Sequence, residues 1–169
     1  MVSQWLGQRL RLLFGGALMI VALEAGAQSE SPFSPMLTLR MGDKVIELEL
    51  EQLDALAQAQ LDTSTTLQPE VVRWTGPLAR ELLTLLGVEP GTELPMAVMS
   101  WDDYRVDMST EDFYRWDVLV ATRADGKVLD ATDLGPTRII YPRDQHVELQ
   151  DSRFDHRWVW LLREIAVNP

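Results

Sequence analysis

Apolar and polar residues alternate over 37–40 and again over 45–50, on either side of Gly42-Asp43, and this period of two predicts a β-hairpin. The period then lengthens. Leu53, Leu56 and Ala57 fall on one side of a short amphipathic helix over 51–58. The polar, β-favouring run Thr63-Ser-Thr-Thr66 follows, and then a strand over 71–74. The clearest helix covers 77–86: Pro77 suits its first turn, Leu78, Leu82, Leu83, Leu85 and Leu86 form an apolar stripe, and Gly87 suits its end.

Beyond that helix the pattern returns to strands. Residues 96–100 and 105–108 flank the polar turn Asp102-Asp103, and Ser109-Thr-Glu-Asp112 has the spacing of a capping box at the start of a helical turn. A buried-type strand is predicted over 118–122, and Asp125-Gly126 signals a tight hairpin into 127–129. Further strands are predicted over 137–141 and 158–167. Two or three short helices among many strands make a mostly-β α+β domain.

The first 27 residues read as an export signal. Arg9 and Arg11 precede an apolar stretch over 12–23, and Ala25-Gly26-Ala27 fits a small-residue cleavage site, with the cut after Ala27. The stretch is shorter than the roughly 20 residues that span a bilayer. Residues 28–35 read as a flexible, proline-punctuated leader, and 36–169 as the domain. Cleavage would leave about 140 residues, enough for one sizeable core, and a periplasmic location.

The chain carries a formal charge of −11, which removal of the signal makes slightly more negative. Nucleic-acid binding needs a basic footprint, so that class is excluded, and adsorption to anionic lipid is disfavoured. There is no cysteine. No disulfide can staple the fold, and six tryptophans with many leucines and valines must supply the burial. The sequence contains no nucleophile elbow, no P-loop and no dinucleotide fingerprint. His146 and His156 stand among acidic residues at a spacing that matches no metal-ligand motif, so neither a metal site nor a catalytic residue is assigned.

Five segments occur in an order that carries more weight than any one of them. They are Trp74-Thr-Gly-Pro-Leu-Ala-Arg-Glu-Leu-Leu83, Trp101-Asp-Asp-Tyr104, Leu119-Val-Ala-Thr-Arg-Ala-Asp-Gly-Lys-Val-Leu129, Gly135-Pro-Thr-Arg-Ile-Ile-Tyr-Pro142 and Arg157-Trp-Val-Trp-Leu-Leu-Arg-Glu-Ile165. Together they resemble the sulfite-oxidase fold, and in particular the small exported proteins of the oxidoreductase molybdopterin-binding domain type. The resemblance implies a pterin site. It also implies a role like that of relatives that act as periplasmic pterin-binding regulators of membrane diguanylate cyclase/phosphodiesterase enzymes, in cyclic-di-GMP signalling and biofilm control. Two departures matter. Catalytic relatives carry a molybdenum-ligating cysteine upstream of the Trp-x-Gly-x-Leu motif, where this chain offers only the hydroxyls of 63–66. Gly135-Pro-Thr-Arg138 keeps an arginine, closer to the larger enzymes than to the small exported proteins.

A pterin presents a flat face, an amidine edge of N–H donors, and carbonyl and ring-nitrogen acceptors. Aromatic rings would stack on the face, a carboxylate would accept from the donor edge, and arginine would donate to the acceptors. The candidates are Trp101, Asp102, Asp103, Tyr104, Arg138, Tyr141, Arg143, Asp144, Arg153, Arg157, Trp158 and Trp160. Asp102, Asp103 or Asp144 would take the amidine edge, and Arg138, Arg143 or Arg153 a phosphate or polyol. In a strand, Trp158 and Trp160 would share one face, either filling the core or stacking on the ligand. Trp74 and Trp116 are assigned to the core. Three functions stay open: a pterin-binding module read by a membrane partner, a molybdopterin-dependent oxidoreductase or its subunit, and a ligand-free interaction domain.

Overall fold

Eleven strands and three short helices follow one another in the computed structural model, which describes residues 32–169. The expected export segment, and the leader up to residue 31, lie outside the described residues. In chain order the elements are β1 (Leu37–Met41), β2 (Lys44–Leu48), α1 (Leu50–Ala55), β3 (Gln58–Thr63), β4 (Val72–Pro77) and α2 (Ala79–Leu86). They continue as β5 (Pro95–Ser100), β6 (Arg105–Ser109), α3 (Glu111–Arg115), β7 (Leu119–Ala121), β8 (Arg123–Ala124), β9 (Lys127–Val128), β10 (Arg138–Ile140) and β11 (Leu162–Val167). Short 3-10 turns fill much of 143–157. Among the described residues no helix is long and apolar enough to cross a membrane.

The strands form a five-stranded sheet in the order β2-β1-β11-β5-β6, a four-stranded sheet β3-β4-β8-β9, and the pair β10-β7. Only β1 and β11 pair in parallel within the five-stranded sheet. Both expected hairpins form. Gly42 takes a positive φ between β1 and β2, and Asp125 and Gly126 take φ of 48° and 80°, the left-handed pair that a two-residue turn requires. The helix α2 buries Ala79, Leu82, Leu83 and Leu86 and packs against β1, and Gly87 closes it at φ 91°.

The Trp-x-Gly-x-Leu segment has a steric reason. A Cβ on Gly76 would lie 2.1 Å from the carbonyl oxygen of Val120, so β4 passes β7 closer than any other residue allows. Trp74, on the same strand, is completely buried and donates through Nε1 to the Thr63 carbonyl at 3.2 Å.

Three expectations change, the first being that Pro77 closes β4, paired with Gln58, and α2 opens only at Ala79. The final strand begins at Leu162, not at residue 158. Residues 152–157 form a 3-10 turn, and Leu161 adopts a left-handed φ of 50°, which breaks the alternation. The amides of Ile139 and Leu162 are committed to the carbonyls of Val159 and Thr137. The capping box at Ser109 is also not built. Thr110 occupies the cap position and spends its hydroxyl on the Thr92 carbonyl and the Leu94 amide, while Asp112 turns inward.

Replacing Gly76 with alanine is expected to destabilise the fold by about 1–3 kcal/mol or more, because backbone rather than a movable side chain opposes the new methyl. Thermal unfolding of Gly76→Ala checks this, and a midpoint equal to the parent's contradicts the close-approach argument.

Candidate functional site

The site is built around the loop that leaves β3. Asp144 reaches back to it. Its Oδ2 accepts from the Ser64 amide at 2.6 Å and its Oδ1 from the Ser64 hydroxyl at 2.7 Å, while the Asp144 amide donates to Thr63 Oγ1 at 3.2 Å. Desolvation pushes the Asp144 pKa up, but the Ser64 hydrogen bonds, with help from the Arg143 charge, outweigh it and hold the carboxyl below its usual range. The loop then closes on itself: the Thr65 amide donates to the Gln68 carbonyl at 2.8 Å, and the Gln68 amide donates to Thr65 Oγ1 at 3.0 Å.

Opposite the loop stands an aromatic wall. Tyr141 is buried and lies 5.7 Å from the Trp158 ring and 5.9 Å from Trp116. Its hydroxyl donates to Asp112 Oδ2 at 3.1 Å, and Arg157 Nη1 donates to the same oxygen at 2.6 Å. Burial, and next the Asp112 charge, raise the Tyr141 pKa well above its ordinary value, so it remains a neutral donor. Asp112 thus fixes both the ring behind Trp158 and the residue before it.

Three adjoining hollows run between loop and wall. The first, of about 380 Å³, is lined by Leu67, Gln68, Trp74, Leu129, Asp133 and Arg138 among others. The second, of about 120 Å³, shares Leu67 and Arg138 with it and adds Thr65, Thr66, Asp155, Trp158 and Trp160. The third, of about 410 Å³, shares Asp155 and both tryptophans, and adds Asp102, Tyr104 and His156. The shared residues make one trench. Trp158 is buried and its Nε1 has no hydrogen-bond partner among the described residues; Trp160 is half-buried.

Arg138 is the unusual group in this trench. It is only 5% exposed, its guanidinium lies 4.7 Å over the Trp74 ring, and Nη1 donates to Gln68 Oε1 at a long 3.3 Å. Among the described residues no carboxylate comes within ion-pair distance of it. Burial lowers its pKa to about 10, opposed only by the more distant charge of Asp133, so it is still a cation at neutral pH. A buried ion costs several kcal/mol in solvation. A cation–π contact returns at most about 2 kcal/mol. The site therefore carries a buried cation with no carboxylate partner among the described residues.

The trench gathers five of the residues singled out in the sequence: Asp102, Tyr104, Arg138, Trp158 and Trp160. The tryptophans share it through the irregular path of 158–161 rather than through strand alternation. Asp102 accepts from the Ser100 hydroxyl, which lowers its pKa, and Tyr104 donates to the His156 carbonyl at 3.3 Å. The others stand elsewhere. Trp101 packs edge-on to Phe33, and Asp103 pairs with Arg163 at 3.0 Å. Arg143 and Asp144 brace the loop from behind, and Arg157 braces the wall. Tyr141, at 1% exposed, packs against Trp158 and lines none of the three hollows. Arg153 points to solvent, 84% exposed and paired with Asp151 at 2.8 Å. Thr65, Leu67, Gln68 and Asp155 escaped the sequence reading. The hydroxyl run over 63–66 was the available signal for the loop; Asp155 had none.

The fold has a counterpart among solved structures. The sulfane dehydrogenase SoxCD from Paracoccus pantotrophus superposes with a TM-score of 0.56 at 16% sequence identity, over 79% of this chain and 39% of that one. The chain thus spans well under half the length of the protein it matches. No protein-family model matches the chain, and no curated protein does. The mostly-β α+β, sulfite-oxidase-like fold expected from the five segments is the fold observed, and at this identity the likeness carries the fold alone.

Replacing Arg138 with methionine is expected to stabilise the unliganded protein by about 1 kcal/mol, raising the melting midpoint by about 2–4 °C. The folded pKa of Arg138 lies below its unfolded value, so the cost of burying the cation is present below pH 10 and relieved above it. The gain should accordingly be full at neutral pH and shrink as the pH rises past about 10. A lower midpoint for Arg138→Met at pH 7 contradicts this account.

Proposed function

We propose that this chain is an exported pterin-binding protein whose ligand state is read by a membrane-bound signalling partner. The observation that carries the reading is the trench itself: two indoles, Trp158 and Trp160, beside a buried arginine that lacks a carboxylate partner among the described residues. A flat heterocycle stacked on the indoles can accept from Arg138 and remove the cost of its burial. The sulfite-oxidase-like fold supports a pterin as that heterocycle.

The residues fit a pterin and do not fit molybdenum. The end of β3 and the loop after it carry Thr63, Ser64, Thr65 and Thr66, and the Ser64 hydroxyl is already committed to Asp144. There is no thiolate in the chain, and among the described residues no three His, Asp or Glu side chains gather into a metal-holding group. A molybdopterin held through its pterin alone remains the second reading, supported by the likeness to a dehydrogenase. In the first reading the ligand undergoes no chemistry here. Its effect then requires that liganded and free forms differ in affinity for something else. The net charge of −11 favours a partner face rich in Lys and Arg, with association that weakens as salt rises. The periplasmic part of a membrane cyclic-di-GMP enzyme is the partner class to which the sequence resemblance points.

Trp160→Ala is expected to weaken pterin binding several-fold, since a ring stack contributes about 0.5–1.5 kcal/mol beyond area burial. Because Trp160 is half-buried, the variant should stay folded. Titration with pterin, native mass spectrometry and elemental analysis of the purified protein check the proposal together. A reduced pterin without molybdenum supports it, stoichiometric molybdenum with electron-acceptor turnover replaces it by the second reading, and an empty site with unchanged Trp160→Ala behaviour leaves a ligand-free interaction domain. For the partner, membrane proteins retained on the immobilised chain should differ with and without added pterin; identical retention contradicts the signalling role.

A further inference from the structure

We propose that Asp155 selects the ring of the ligand, accepting hydrogen bonds from the amino-amidine edge of a 2-amino-4-oxo heterocycle. The proposal rests on the pterin-binding reading and adds to it a residue and the ring pattern that residue demands. Asp155 lies in the 3-10 turn Ser152–Arg157 and lines both the second and the third hollow, together with Trp158 and Trp160. Thr66 Oγ1 donates to its Oδ1 at 2.8 Å, which fixes the carboxylate against the opposite wall. Among the described residues no donor reaches Oδ2, and no cation pairs with the group. A carboxylate offers about four lone-pair sites, so both oxygens retain capacity for a ligand.

The other carboxylates around the trench are committed or badly placed. Asp102 accepts from Ser100 and Tyr104, Asp103 pairs with Arg163, Asp112 serves Tyr141 and Arg157, and Asp144 holds Ser64. Asp133 lines the first hollow, where the Trp74 ring already lies under the Arg138 guanidinium and cannot stack on anything else. Asp102 lines only the third hollow, away from Arg138, whereas Asp155 is the one carboxylate lining the second hollow, where both indole rings and Arg138 meet. The second hollow also carries Arg138, a donor only. An acceptor-only group and a donor-only group in one aromatic slot specify a planar ligand with paired N–H donors on one edge and an acceptor elsewhere on the ring. The 2-amino group and N3–H of a 2-amino-4-oxo ring supply those donors side by side. A 2,4-dioxo ring would instead turn a carbonyl oxygen toward the carboxylate, leaving acceptor facing acceptor.

The test compares pterin with lumazine, its 2,4-dioxo analogue, on the parent chain, Asp155→Asn and Thr66→Val, by tryptophan-fluorescence titration with calorimetric confirmation. The parent should prefer pterin by about tenfold or more, the worth of a charge-assisted hydrogen bond. Asp155→Asn should lose about tenfold in pterin affinity with much less change for lumazine, so that the preference collapses. Thr66→Val, at an exposed position, should lower the preference by a smaller factor, and it keeps the test open should Asp155→Asn melt early. A retained pterin preference in both variants overturns the role of Asp155 and leaves the pterin-binding reading standing. A parent that binds neither compound overturns both.

Discussion

Asp144 joins two parts of the chain that share no strand pairing, and the trench exists because it does. Its carboxylate takes the amide and hydroxyl of Ser64, and its own amide returns a bond to Thr63. Those three bonds tie the end of β3 to the turn that follows β10. The loop wall and the strand carrying Arg138 are thereby held at a fixed separation, and Thr65, Thr66 and Leu67 face Trp158 and Trp160 across it. Hydrogen bonds to an ionised acceptor are the strong ones, which suits a joint made by a loop that has no sheet partners.

The same arrangement decides which side chains of the loop face the trench. The Ser64 side chain is turned toward Asp144, and the trench receives the threonines of the same loop. The cation of the trench is Arg138, buried over Trp74. Such a group lowers stability unless a ligand completes it, a common pattern where function is retained at the expense of the fold.

Much of the architecture was legible because local signals agreed with tertiary ones. The Asp125-Gly126 turn, the α2 stripe with Gly87, and the 37–50 hairpin each depend on residues close in sequence. The parts that were not legible depend on distant partners. Nothing in the stretch 158–167 discloses that Leu161 turns left-handed, since the bonds that demand it come from Leu134, Thr137 and Trp101. The capping pattern at Ser109 yielded to Thr92 and Leu94, and the inward turn of Asp112 answers to Tyr141 and Arg157. At the site, the aromatic pair and Arg138 were visible as residue types. Tyr141 looked equivalent to them until its burial was known, and Asp155 entered through a 3-10 turn that no periodicity announces.

The place of β11 in the five-stranded sheet sets the order in which the protein can be completed. It is the last of the described strands and the middle strand of the sheet, parallel to β1 and antiparallel to β5. Until it arrives, β1 with β2 and β5 with β6 are two separate hairpins with unsatisfied inner edges, and pairing across such sequence separation is slow. A chain in which residues 162–167 have not yet docked therefore lacks the central strand of the five-stranded sheet. That dependence makes residues 162–167 the segment on which closure of the five-stranded sheet waits.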